Sequence, residues 1–313
     1  MLLAIGGVLA GLVVLTVAAD QFVVGASRVA GRLKISPIVI GAVVIGFGTS
    51  APELVVSALA TARDQAELAV GNIIGSNVAN LSLILGIAAT ITPLTVRSQT
   101  LKREVPLALG ATVLFALLLQ DGLSGIDGVL LATLLVLSFV IILRSARGGD
   151  RRLESEVAEF LTDALPSLRT EWSRTLLGLV AVLIAAQVLV SSATLIAEQL
   201  GVAEGFIGLT VVAVGTSLPE LATVVQAARR REAELILGNL IGSNLLNVTA
   251  VGALTAFLGA DQAFSANLTV NATLLMVVVT LIACVFMFTG SRVGRSEGAI
   301  LMVGYLASVP WLA

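Results

Sequence analysis

Histidine is absent from the chain and cysteine occurs once, at Cys284. The first absence removes the commonest ligand of transition metals, and the second excludes a disulfide within the chain, so soft-metal chemistry is not expected. Charge is scarce too: Asp, Glu, Lys and Arg together make up 12% of the 313 residues, against 57% that are hydrophobic. No Gly-x-x-x-x-Gly-Lys-Ser/Thr run occurs, which leaves no phosphate cradle through which ATP could act, so any pumping must draw on an ion gradient. The net charge of −2 says little about partners, and no nucleic-acid partner is expected.

What the chain has in quantity is apolar surface. A mean hydropathy of +1.04 exceeds what a soluble domain of this size could bury, so the surrounding solvent must be lipid. A spanning helix needs about 20 apolar residues. The sequence reads as ten such stretches, near 2–26, 36–62, 68–92, 103–119, 125–144, 174–199, 204–228, 233–258, 266–289 and 297–312. The expected fold is therefore an all-α, multi-pass protein of the inner or plasma membrane. No Lys or Arg precedes the first stretch, and its apolar run outlasts a signal core, so it is expected to stay in the mature protein.

Basic residues fix the orientation. With these spans, the loops after spans 1, 3, 5, 7 and 9 and their flanks hold 17 of the 18 Lys and Arg, and the other face holds Arg63 alone. A missed helix would scramble this separation, and the positive-inside rule then puts both termini outside.

A repeat runs through the chain. Gly48-Thr-Ser-Ala-Pro-Glu53 is echoed by Gly215-Thr-Ser-Leu-Pro-Glu220, and Gly71-Asn-Ile-Ile-Gly-Ser-Asn77 by Gly238-Asn-Leu-Ile-Gly-Ser-Asn244, both at an offset of 167 residues. The same offset carries Arg63 to Arg230, Glu67 to Glu234 and Asn80 to Asn247. It maps span 2 to span 7, an odd number of crossings, so the second copy is upside down relative to the first. The domain reading follows: residues 1–144 form one five-helix repeat and 174–313 a second, inverted one. Residues 145–173 are read as a cytoplasmic linker, with a short amphipathic helix in Leu153 to Leu165 as an option. Inverted repeats are a recurring plan of secondary transporters, with the substrate held near the midplane.

The residues that could hold cargo lie in the repeated motifs. Glu53 and Glu220 sit deep in apolar stretches, where an ionised carboxylate costs several kcal/mol unless a cation or cavity water compensates it. No Lys or Arg lies at comparable depth, so a mobile cation is the natural partner. Pro52 and Pro219 each clash with the carbonyl four residues earlier and should kink their helices. The kinks would free carbonyls around Gly46 to Thr49 and around Ala213 to Thr216 toward a cavity. Thr49, Ser50, Thr216 and Ser217 add hydroxyls. Ser76 and Asn80, like Ser243 and Asn247, are four residues apart and share one helical face. The Gly71/Gly75 and Gly238/Gly242 pairs fit close helix packing better than ligation. An all-oxygen set of this kind suits a hard cation, and its flexible number of ligands suits Ca2+ over Mg2+.

The paired Gly-Thr-Ser-x-Pro-Glu and Gly-Asn-x-Ile-Gly-Ser-Asn-x-x-Asn motifs resemble the two alpha repeats of the sodium/calcium exchangers, within the calcium/cation antiporter superfamily. The likeness spans nearly the whole chain and fits the compact prokaryotic members. It implies a Na+/Ca2+ antiporter, not an enzyme, whose partners are Ca2+, Na+ and the lipid bilayer, with no cofactor beyond the transported ions and one chain as the functional unit. By that resemblance Glu53 and Glu220 are central Ca2+ ligands, assisted by Thr49 and Thr216. Ser50, Ser76, Asn80, Ser217, Ser243, Asn247 and the carbonyls of Gly46 and Ala213 complete neighbouring Na+ sites. Spans 1 and 6 resemble a long tilted pair that slides to switch access. Potassium-dependent relatives are among those with an acidic residue where this chain has neutral Asn247, so no K+ requirement is expected. Two carboxylates neutralised by one Ca2+, or overcompensated by three Na+, would make the exchange electrogenic.

The nearest rival is a Ca2+/H+ antiporter, because two buried Glu could carry protons. The surplus of hydroxyl and amide oxygens favours Na+, which needs several ligands where a proton needs one. An intramembrane acid protease would also use two carboxylates, but it has no role for the duplicated Ser and Asn residues. A passive channel fits inverted repeats less well than alternating access does.

Overall fold

The computed structural model of the chain describes residues 1–32, 49–96, 99–146, 167–231, 233–259 and 263–312. The apolar stretches become helices because backbone polar groups in lipid must be satisfied within the segment. In the first half these are α1 (Leu2–Arg32), α2 (Ala51–Thr61), α3 (Ala66–Ala79), α4 (Leu85–Ile91), α5 (Gln99–Leu118) and α6 (Gly125–Ala146). In the second half they are α7 (Leu168–Leu200), α8 (Glu204–Ile207), α9 (Ala213–Thr216), α10 (Leu218–Arg230), α11 (Ala233–Leu246), α12 (Gly252–Leu258), α13 (Thr273–Thr289) and α14 (Arg295–Leu312).

Several of these are segments of one rod. A π-helical turn at Asn80–Ile84 joins α3 to α4, one at Gly208–Val212 joins α8 to α9, one at Asn247–Val251 joins α11 to α12, and one at Asn267–Ala272 leads into α13. Such single wide turns inside helices are frequent at functional sites. A two-residue antiparallel ladder, Leu94↔Val293 and Thr95↔Arg292, ties the end of α4 to the end of α13.

Local geometry repeats with the sequence. Ser50 (φ −87, ψ 7) and Ser217 (φ −84, ψ 9) interrupt their helices in the same conformation, each two residues ahead of a proline. The π turns that open at Asn80 and Asn247 stand at the same offset. So do the left-handed residues Asp64 (φ 61), in the turn after α2, and Arg231 (φ 64), which caps α10. Left-handed backbone is uncommon for residues other than glycine, so this shared pair is a strong local signature.

Among the described residues, eight helical stretches are long and apolar enough to cross a membrane. Two of the ten expected spans are not among them. For the second, Ala51–Thr61 is described, whereas residues 33–48, including Gly46, lie outside the described residues. The tenth is α14, whose first turn carries Arg295 and Glu297. The sixth span, expected from residue 174, starts earlier as a helix. Helix α7 begins at Leu168 because Ser167 caps it, its hydroxyl accepting from the Thr170 backbone N–H at 3.2 Å. The optional helix at Leu153 to Leu165 lies outside the described residues.

Helices α1 and α7, of 31 and 33 residues, pack along each other. Glycine makes the approach close: a Cβ on Gly11 would stand 3.2 Å from Leu189 Cβ, and one on Gly178 would stand 2.7 Å from the Phe22 backbone N. At one end the pair is tied by Glu171, which is fully buried and lies 3.5 Å from both Arg28 and Arg174. Leu3 at 93% exposure and Leu177 at 70% mark the outer face of this pair, an apolar surface suited to lipid. The rest of the molecule forms a larger core around α3, α4, α5, α11, α12 and α13.

Candidate cation site

Glu53 lies in the first turn of α2 and Glu220 in the first turn of α10, both completely buried. The helix interruption three residues before each glutamate supplies the other's partner. Ser217 Oγ donates to Glu53 Oε1 at 3.1 Å, and Ser50 Oγ donates to Glu220 Oε1 at 3.4 Å. Ser243 Oγ also lies 3.5 Å from Glu220 Oε1. The two acidic side chains are thus brought together, and among the described residues no Lys or Arg pairs with either.

The same exchange of partners recurs around them. Thr216 Oγ1 donates to Asn72 Oδ1 at 3.1 Å, and Thr49 Oγ1 donates to Asn239 Oδ1 at 3.3 Å. Asn80 Nδ2 donates to Asn244 Oδ1 at 2.9 Å, and Asn247 Nδ2 donates to Asn77 Oδ1 at 3.1 Å. Ser76 Oγ reaches the Ala213 carbonyl at 3.4 Å and stands 3.5 Å from Thr216 Oγ1. Each of the first four bonds is converted into its mate by moving both residues along the sequence repeat.

Among the described residues, four buried acceptor atoms at this centre have no donor: Glu53 Oε2, Glu220 Oε2, Asn80 Oδ1 and Asn247 Oδ1. Buried carboxylate and amide oxygens are costly when unpaired. Oxygens of this kind are the ligands that hard cations such as Ca2+ take. No group of three or more His, Cys, Asp and Glu side chains occurs among the described residues, so any cation here must be held mainly by neutral oxygens around two carboxylates.

One expectation about the backbone needs correction. The Ala213 carbonyl does not stand free at the kink: it accepts from Thr216 Oγ1 at 3.2 Å and the Ser217 backbone N–H at 3.1 Å, besides its contact with Ser76. The break at Ser217 is tight enough for side-chain hydroxyls to fold back onto the preceding turn. Asn72, Asn77, Asn239 and Asn244 were not singled out as site residues, yet they hold the hydroxyls and amides that were. Their signal was in the motifs: Asn72, Ser76 and Asn80 are spaced by four and share one helical face.

Glycines bring the rods close enough for these bonds. A Cβ on Gly75 would collide with the Leu209 carbonyl and stand 2.6 Å from Ala213 Cβ, and one on Gly71 would stand 2.9 Å from the Leu209 backbone N. From the other side, a Cβ on Gly208 would stand 3.1 Å from the Asn72 backbone N. Only glycine lets α3 lie directly on the α8–α9 rod, and this contact seats Ser76 beside Thr216.

A multi-helix apolar fold enclosing two buried carboxylates among neutral oxygens is the arrangement of an integral membrane protein that handles cations. Comparison with known proteins makes the class specific. The family described as sodium/calcium exchanger protein matches residues 3–144 and 171–312, and the chain belongs to that family. The inner membrane protein YrbG of Escherichia coli is 35% identical over 319 residues, covering 100% of this chain and 97% of the relative. The sodium/calcium exchanger MaX1 of Methanosarcina acetivorans is 32% identical over 334 residues, covering 96% of this chain and 95% of the relative. Among solved structures, the sodium-calcium exchanger NCX_Mj soaked with Na+ and Ca2+ superposes with a TM-score of 0.69 at 31% identity, covering 100% of this chain and 99% of the other. The protein is a multi-pass integral membrane cation antiporter of the Ca2+-transporting class.

Proposed function

We propose that the protein exchanges Na+ for Ca2+ by alternating access, that the exchange is electrogenic, and that it needs no K+. The observation that carries this reading is the set of four buried oxygens, on Glu53, Glu220, Asn80 and Asn247, that have no donor among the described residues. In this reading Glu53 and Glu220 hold Ca2+ with help from Thr49 and Thr216. Ser50, Ser76, Ser217, Ser243, Asn80 and Asn247, with the carbonyl of Gly46, complete sites for Na+. One Ca2+ cancels the two carboxylate charges and three Na+ leave a surplus, so the ions exclude each other and net charge moves. No cofactor takes part.

The crosswise bonding supports a two-fold relation between residues 1–144 and 174–313, as two inverted five-helix repeats would have, with both termini outside and the intervening segment on the cytoplasmic side. One chain supplies both carboxylates, which supports a single chain as the functional unit. The long α1–α7 pair, packed through glycine, is the element that would slide to switch access.

Sodium is favoured over protons because the carboxylates are bonded to the hydroxyls of Ser217, Ser50 and Ser243, oxygens that a proton carrier would not need. The test is Ca2+ uptake into proteoliposomes under an imposed Na+ gradient and, separately, an imposed pH gradient, with membrane voltage recorded. Uptake driven by Na+ and accompanied by a voltage is expected. Uptake driven by the pH gradient alone would replace Na+ with H+, and Na+-driven uptake at constant voltage would contradict electrogenic exchange.

A further inference from the structure

Asn77 on α3 and Asn244 on α11 are each 1% exposed. Asn77 Nδ2 donates to the Asn244 carbonyl at 3.2 Å, and Asn244 Nδ2 donates to the Asn77 carbonyl at 3.0 Å. Each amide thus commits its NH2 to the other's backbone, which leaves its Oδ1 as an acceptor. Both acceptors are used: Asn77 Oδ1 receives Asn247 Nδ2, and Asn244 Oδ1 receives Asn80 Nδ2. The consequence falls on Asn80 and Asn247. Turning either amide over would set oxygen against oxygen at about 3 Å, so the NH2 end stays in the interhelical network and Oδ1 stays on the other side. Those two Oδ1 atoms are the amide oxygens left without a donor at the cradle among the described residues. An amide binds a cation through its carbonyl and repels it with its NH2, so which way these two amides point decides whether the cradle accepts an ion.

We propose that Asn77 and Asn244 are positioning residues for ion exchange: Asn77 holds the Asn247 amide, and Asn244 holds the Asn80 amide, with the carbonyl oxygen toward the cation. They act through their partners and are not themselves ligands. The proposal rests on the reading of the cradle as a Na+/Ca2+ site. It differs from a role as mere glue between halves, because glue alters stability without altering ion affinity.

The test is Na+-driven Ca2+ uptake by the full chain in proteoliposomes, comparing Asn77→Ala, Asn247→Ala and the double variant, and likewise Asn244→Ala with Asn80→Ala. Asn77→Ala is expected to raise the half-saturating Na+ concentration by roughly tenfold, the scale of one buried hydrogen bond. On an Asn247→Ala background it is expected to add less than about twofold, because the group it orients is already gone. Fully multiplicative effects, or lowered thermal stability at unchanged half-saturation, would overturn the proposal. Should Asn77→Ala not fold, Asn77→Ser is measured instead, reading the rise in melting temperature on adding Ca2+. That rise is expected to shrink, and an unchanged rise would also count against positioning. Glu53→Gln run in parallel separates the two levels: loss of exchange there with an unchanged Asn77 variant defeats only the positioning role, whereas intact exchange in Glu53→Gln defeats the cation site itself.

Discussion

Ser217 donates its hydroxyl to Glu53 Oε1 across 164 residues of sequence, at 3.1 Å, both groups fully enclosed. The mirrored bond runs from Ser50 to Glu220. Each acidic side chain is therefore wired to the helix break that precedes the other, and neither half contains a complete site.

Removing these hydroxyls should weaken ion binding without removing it. Ser217→Ala takes from Glu53 the closest hydroxyl bonded to its carboxylate and removes a proposed Na+ ligand, at a cost of about 1.5 kcal/mol. The half-saturating Na+ concentration for Ca2+ uptake should rise roughly tenfold while the maximal rate changes little. An unchanged Na+ dependence would place Ser217 outside the site.

Close packing gives a stability prediction. Gly75→Ala forces a methyl into the Leu209 carbonyl and Ala213 Cβ, so α3 and the α8–α9 rod must separate, at a cost of about 1–3 kcal/mol. Gly6→Ala, where the added carbon meets nothing within 4 Å, should be neutral or slightly stabilising. Thermal unfolding of the two purified variants in detergent checks the contrast.

Much of this site was legible in the sequence, for physical reasons that differ by residue. Glu53 and Glu220 stood out because a carboxylate at that depth is costly in any fold, and the 167-residue offset paired them before any geometry was known. The crosswise partners were not legible. Nothing in Gly-Thr-Ser-x-Pro-Glu says that Ser50 serves the distant glutamate and not the one beside it; that depends on two rods meeting in space. Asn77 and Asn244 were quoted in the motifs yet unassigned, because their partners are backbone carbonyls of each other's helices. The π turns at Asn80 and Asn247 were hidden too, since one extra residue in a turn barely disturbs a 3.6-residue apolar period. The Ala213 carbonyl was expected to be open, and the hydroxyl of Thr216, three residues on, occupies it.

Glu171 tests the tie between the two long helices. It is fully buried between Arg28 and Arg174, whose side chains are 14% and 31% exposed. Glu171→Ala leaves the more enclosed Arg28 without its partner and should cost about 2 kcal/mol, less than a deeply buried pair because water reaches both arginines. Arg174→Ala should cost less than Glu171→Ala. Melting temperatures of both variants give the order, and the reverse order would contradict the assignment.

Potassium provides a test of selectivity. Asn247 is neutral, and its Nδ2 is committed to Asn77, so the cradle contains no third carboxylate among the described residues to balance an additional monovalent ion. Ca2+ uptake at fixed Na+ should proceed at the same rate with and without K+. A requirement for K+ would show that another charged group joins the site.

The central claim is that Glu53 and Glu220 together hold the transported ion. The most direct measurement is 45Ca2+ uptake into Na+-loaded proteoliposomes by the unaltered protein, Glu53→Gln and Glu220→Gln, each reconstituted at equal density. Each substitution keeps the size of the side chain and removes one charge, so exchange should fall by two orders of magnitude or more, about 3 kcal/mol, in either variant. Full uptake in either one would contradict the account.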